Sequence, residues 1–187
     1  MDKHHASAAA EFSRIVPVDR LEQGEVEEAI SAREAECQAL ARRFGLLALD
    51  SLSAQVSLRR IGHGQAVRVE GRFTAEVTQS CVVSLEPVAS HIEENFSLLF
   101  APEGRSAAAA PLETGHDLEA EEWPEPLVEG RIDIGEAVAQ QLALALDPYP
   151  RRAGVRLEDV IGKQEAKAEE RSASPFAVLA RLTRRDS

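Results

Sequence analysis

This chain of 187 residues is poor in several things that would otherwise define a class. It has two cysteines, Cys37 and Cys81, too few for a disulfide scaffold. Aromatic residues make up 4%, so a core must be built from Leu, Val, Ile and Ala. No apolar run approaches the ~18 residues that a membrane-crossing helix needs. The start, Met1-Asp2-Lys3-His4-His5, is followed by no apolar signal-peptide core, and the expected location is the cytoplasm. Neither G-x-S-x-G nor a glycine-rich phosphate loop occurs, which removes the commonest serine-hydrolase and nucleotide-binding signatures. No repeat of a solenoid period is visible.

What is present is charge of uneven distribution. The formal net charge is -11, from 21 Lys+Arg against 32 Asp+Glu. The stretch Pro102 to Glu129 holds eight acids and only Arg105 as a base, so it supplies -7 and the rest of the chain -4. Proline and an alanine run accompany the acids there, the composition of a flexible insertion. The total excludes a polybasic coat for nucleic acid. Eighteen of the 21 basic residues are Arg, the better phosphate ligand, and they cluster. Arg59, Arg60, Arg68 and Arg72 lie in the strand region, Arg151, Arg152 and Arg156 follow the second helix, and Arg181, Arg184 and Arg185 close the chain.

Periodicity predicts an α+β fold: an antiparallel meander packed with two to three helices, with the long acidic loop inserted. Phe12 to Val18 reads as a short strand. Ser31-Ala32-Arg33-Glu34 fits a capping box for a helix that starts there or a turn earlier. Its apolar face is Cys37, Leu40, Ala41 and Phe44, and Gly45 closes it. Leu52 to Leu58, Val67 to Val77 and Ile92 to Phe100 alternate with period two and read as strands. Gly62-His63-Gly64 marks the hairpin turn and residues 79 to 88 the second connection. Gly71 marks a bulge or bend. Leu127 and Val128 read as a short edge strand. Asp133-Ile134-Gly135-Glu136 opens a helix to about Leu146, which Pro148 stops. Ser174-Pro175 opens a terminal helix with Phe176, Leu179 and Leu182 on its face. Residues 1–187 are read as one domain, with flexible segments at 1–10, 102–126 and 163–174.

The residues that carry chemistry elsewhere are here sparse. Cys81-Val82-Val83-Ser84 has C-x-x-C spacing with serine in the second place, which leaves one thiol where zinc wants four ligands. A nucleophilic Cys81 would need a positioned base, for which His91 is the nearest candidate. Glu93 and Glu94 lie on opposite faces of a strand and cannot act as a pair. No catalytic residue, metal site or cofactor is expected. Arg60, Arg68 and Arg72, on one face of the sheet, together with Arg181, Arg184 and Arg185, are the candidate contacts for RNA or a partner.

Three segments, Val77 to Val88, Ile132 to Pro148 and Ser174 to Leu182, together resemble the YceD-like family, named for accumulation of large-subunit ribosomal RNA. Val77 to Val88, with Cys81 and Leu85-Glu86-Pro87, is similar to the family's central signature. Ile132-Asp133-Ile134 through Pro148 is similar to its helix and proline, and Ser174-Pro175-Phe176 through Leu182 to its tail. The order and spacing agree over roughly residues 12 to 185. Ser84 departs from the pattern, since many members carry the second cysteine there. The resemblance implies a non-enzymatic accessory factor in synthesis, processing or accumulation of large-subunit (23S) ribosomal RNA in bacteria. The implied partners are ribosomal RNA or large-subunit assembly proteins, with no membrane and no small-molecule substrate. The competing reading is an acidic adaptor or chaperone, working through residues 102–129, for a basic ribosomal protein or RNA-processing enzyme.

Overall fold

The computed structural model describes residues 10–62, 66–102 and 124–156. The expected terminal helix with Pro175 and Phe176, the arginines Arg181, Arg184 and Arg185, and nearly all of the segments expected to be flexible lie outside the described residues. The chain divides into two compact units. One comprises Met1–Gln79 and Ala89–Pro148, the other Ser80–Val88 and Tyr149–Ser187.

In the first unit, β2 (Val26–Ser31), β3 (Ala48–Ile61), β4 (Ala66–Ser80), β5 (Pro87–Ala101) and β6 (Glu125–Pro126) form one sheet in that spatial order. Pairing is antiparallel for β2–β3 and β3–β4 and parallel for the short β5–β6 contact. A separate two-stranded sheet joins β1 (Ile15–Pro17) to β7 (Arg131–Asp133). The helix α1 (Glu34–Phe44) packs on β3, and α2 (Ile134–Ala145) meets β1. The α+β class and the meander are those expected from the alternation.

The alternation works because it is unbroken. Leu52, Ala54, Val56 and Leu58 of β3 and Val67, Val69, Phe73, Ala75 and Val77 of β4 are all buried on the inner face. Each fully buried aliphatic or Phe side chain contributes roughly 1.5–3 kcal/mol. Leu40 of α1 and Val138 and Leu142 of α2 complete the same core, with Phe12 ahead of β1. Cys37 lies in it as a small apolar residue.

Four expectations are corrected. Residues 26–31 form an edge strand, not the lead into a helix. The reason is that Val26, Glu28 and Ile30 alternate inward although one of them is acidic, and the ladder holds the chain extended as far as the Ser31–Ser53 pair. The helix therefore starts at Glu34, two residues later than a cap at Ser31 would place it. Arg33 is its N-cap, and the Glu36 carboxylate accepts the Arg33 backbone N–H at 2.8 Å. The C-terminal expectation stands: Gly45, at φ 67°, donates to the Arg42 carbonyl and Leu46 donates to that of Ala41, which is a Schellman closure. Second, Gly71 is no bulge. It pairs regularly with Val56, and the register shift lies on β3 between Leu49 and Ser51. Third, β5 begins at Pro87, before Ile92. Fourth, the strand after the acidic stretch is Glu125–Pro126, and Val128 makes only an isolated bridge to Arg131.

Candidate functional site

In the second unit the chain leaves β4 through a tight turn, Cys81–Glu86, that contains the family-like signature. The Cys81 backbone donates to the Glu86 carbonyl at 2.8 Å, and Leu85 donates to the Cys81 carbonyl at 2.9 Å. Leu85 sits at φ 61°, a left-handed conformation that a leucine rarely takes. The turn is tied to the segment after Pro148. Val82 donates to the Pro150 carbonyl at 2.9 Å, and the Arg152 guanidinium reaches the Glu86 carboxylate at 2.5 Å.

The Cys81 sulfur is the hub of these contacts. It is 0% exposed and accepts the backbone N–H groups of Ser84 and Arg152, both at 3.4 Å. The Arg152 N–H, then the Ser84 hydroxyl and N–H, favour negative charge on sulfur and draw the thiol down to about 6. Cys37 goes the other way, raised by burial and then by the nearby Glu36 and Asp50 carboxylates. His91 is engaged elsewhere, with Nδ1 2.7 Å from Glu76 Oε1. Among the described residues no group of three or more His, Cys, Asp or Glu is arranged to hold a metal ion.

In the first unit, the outer face of the sheet brings Arg68 and Arg72 together, as expected, along with Arg59. It does not include Arg60. In the β3–β4 register Arg59 lies opposite Arg68, and Arg60 lies opposite the buried Val67. Its guanidinium reaches the Val18 carbonyl at 3.1 Å. The outer-face arginines have local partners. Arg72 pairs with Glu93 and Arg59 with Glu70, while Arg68 donates to the Ser97 hydroxyl. The Arg72–Glu93 and Arg68–Ser97 contacts run in opposite order along β4 and β5, as antiparallel neighbours require. Glu93 and Glu94 stay apart, because Glu93 belongs to this outer row.

Asp133 and Pro148 belong to the first unit. Asp133 caps α2, accepting the Gly135 and Glu136 backbone N–H groups at 3.1 and 3.2 Å. It also accepts the Arg14 N–H at 2.7 Å and the Ser13 hydroxyl at 2.5 Å, so one carboxylate holds the helix start and the approach to β1. The family-like residues thus fall into two groups. Cys81, Leu85, Glu86 and Pro87 build or flank the turn, whereas Asp133 and Pro148 bound a helix.

The family model for large ribosomal RNA subunit accumulation protein YceD matches residues 69–183. The chain belongs to this family. The match starts inside β4, takes in the Cys81 turn and α2, and leaves β1, β2, α1 and β3 outside it. It is therefore narrower at the N-terminal end than the resemblance read from the three motifs. No curated protein and no solved structure matches the chain. Arg152, which holds the Cys81 turn through its backbone N–H and its guanidinium, is not marked by any of the three motifs. Its only signal is a Tyr-Pro-Arg-Arg run after Pro148, and its role depends on a contact to a residue 71 positions away.

Proposed function

We propose that this YceD-family protein is a non-enzymatic accessory factor of the bacterial cytoplasm that supports accumulation of large-subunit ribosomal RNA by associating with the assembling large subunit. The family match over residues 69–183 carries the reading. The arrangement of the titratable groups supports the non-enzymatic part. The Cys81 thiol is enclosed by backbone donors, and His91, the base considered for it, faces Glu76. Glu36 and Arg43, two of the strongly perturbed groups, owe their shifts to ion pairs within the fold: Glu36 with Arg14 and Arg33, and Arg43 with Glu136.

The test is depletion of the protein in its own host, with 23S ribosomal RNA measured against 16S and the tagged protein followed on a sucrose gradient. A selective fall in 23S and co-sedimentation with large-subunit precursors are expected. Unchanged 23S on depletion rejects the proposal. Full complementation by Cys81→Ser is expected of a factor without thiol chemistry, and loss of function in a folded Cys81→Ser variant would reject the non-enzymatic part.

A further inference from the structure

The second unit differs from the rest of the protein in the character of its surface. Its described residues, 80–88 and 149–156, hold three arginines (Arg151, Arg152 and Arg156) and one acid, Glu86, for a net charge of +2 in a chain whose total is -11. Arg151 is exposed and makes no ion pair among the described residues. On the outer face of the sheet, by contrast, Arg59 and Arg72 are each matched by a glutamate across the strands.

Apolar groups share this basic surface. Tyr149 is 70% exposed and Leu85 77%, with Val82 also open to solvent. The bond from Val82 to the Pro150 carbonyl and the Arg152–Glu86 pair bring the two segments side by side. Leu85 is unfavourable twice over: its backbone is left-handed, and its side chain gains nothing from burial. Glycine or asparagine would suit the backbone better. An exposed leucine held in that place by the turn is explained by a use outside the fold.

Apolar and aromatic surface beside the exposed Arg151 guanidinium is what a single RNA strand recognises. Each base offers a π-face for stacking, and each phosphate a charge for Arg. A duplex hides its base faces and would use only the charge. From this juxtaposition we infer that the surface formed by the Cys81–Glu86 turn and residues 149–156 contacts single-stranded RNA. Tyr149 stacks on a base, Leu85 and Val82 pack beside it, and Arg151 holds a flanking phosphate. This deepens the ribosomal RNA reading above and rests on it for the choice of ligand.

The experiment uses the full chain and a labelled, unstructured RNA of roughly 12 nucleotides, within the usual range of single-strand site sizes. Binding is followed by fluorescence anisotropy over a salt series. Tyr149→Ala is expected to weaken binding about tenfold. Arg151→Gln is expected to reduce the slope of log K against log salt by about 0.7. Arg72→Glu, on the sheet face, is expected to leave affinity within about twofold, and duplex RNA of the same length to bind more weakly. Unchanged thermal midpoints show that the variants are folded. The inference is overturned if the wild type does not bind the strand, if Tyr149→Ala binds as the wild type does, or if Arg72→Glu loses as much as the turn variants. An acidic protein as the true occupant gives a distinct overturning pattern: Arg151→Gln matters and Tyr149→Ala does not. In cells, a Tyr149→Ala, Arg151→Gln protein that binds no RNA yet restores 23S overturns the contact and leaves the accessory role. Intact binding with 23S unaffected by depletion does the reverse.

Discussion

The ring of Phe96 lies over the Cα of Gly71, with ring carbons 2.6 and 2.7 Å from the place a β-carbon would occupy. The Gln55 carbonyl is 2.9 Å from the same point. Gly71 is therefore present for close approach, not for backbone freedom. Gly71→Ala is expected to cost about 1–3 kcal/mol by overpacking, measured by urea unfolding. Phe96→Leu in the same chain is expected to recover part of that loss. Strict additivity of the two changes would show that the ring is not what excludes the methyl group.

A second expectation concerns Asp133. Its Oδ1 accepts three backbone N–H groups, from Gly135, Glu136 and Arg14, and so joins a helix cap to a strand entry 119 residues away. Loss of a helix cap alone costs about 1 kcal/mol. Asp133→Ala also strands the Arg14 N–H, so a total of roughly 2–3 kcal/mol is expected. Asp133→Asn should retain more than half of that stability. A loss below ~0.5 kcal/mol for the alanine variant would sink the hub role.

Glu36 offers a test by pH. Both guanidinium nitrogens of Arg14 meet its carboxylate, at 3.0 and 2.9 Å, and Arg33 adds a third side-chain bond at 2.9 Å. Hydrogen bonds from Arg14 and then Arg33 hold the Glu36 carboxyl well below the usual carboxylate range, against a smaller opposing effect of burial. A depressed acid stabilises the fold above its unfolded value and ceases to do so as pH falls through its folded value. The stability gap between wild type and Glu36→Gln should be widest above about pH 5 and narrow steadily in acid. At neutral pH, bonds to a charged group predict a gap of roughly 2 kcal/mol. A gap that stays constant from pH 7 to the acid limit of folding contradicts the assignment.

The Cys81 thiol predicts a dependence in another window. Its ordinary value is 9.0, and in the fold it lies at about 6. The thiolate is the favoured form, so its stabilising effect is absent below about pH 6, grows through neutrality and is complete above about pH 9. Wild type should gain thermal stability over Cys81→Ala across that interval. Enclosure should at the same time keep the native thiol slow toward iodoacetamide, with reaction becoming fast on unfolding. Rapid alkylation of the folded protein would contradict the enclosed geometry.

Much of this protein is legible in its residues taken in order. The period-two runs through β3 and β4, the Gly45 closure of α1 and the Asp133 cap of α2 are local properties. Each needs only neighbours within a few positions, so composition and spacing reveal them. The strand at 26–31 escaped because glutamates at 25, 27 and 28 mask its alternation, and only the ladder with β3 holds that segment extended. The same limit applies to the site. Sequence placed Cys81, Leu85, Glu86 and Pro87 in one motif and fixed the family. Tertiary structure alone decided that the Cys81 sulfur takes its second N–H from Arg152, that Arg60 lies on the opposite face from Arg68 and Arg72, and that Arg72 is answered by Glu93. The physical reason is that charge and hydrogen bonding act through space over a few ångströms. A count of arginines along the chain cannot tell which of them have already met their partners.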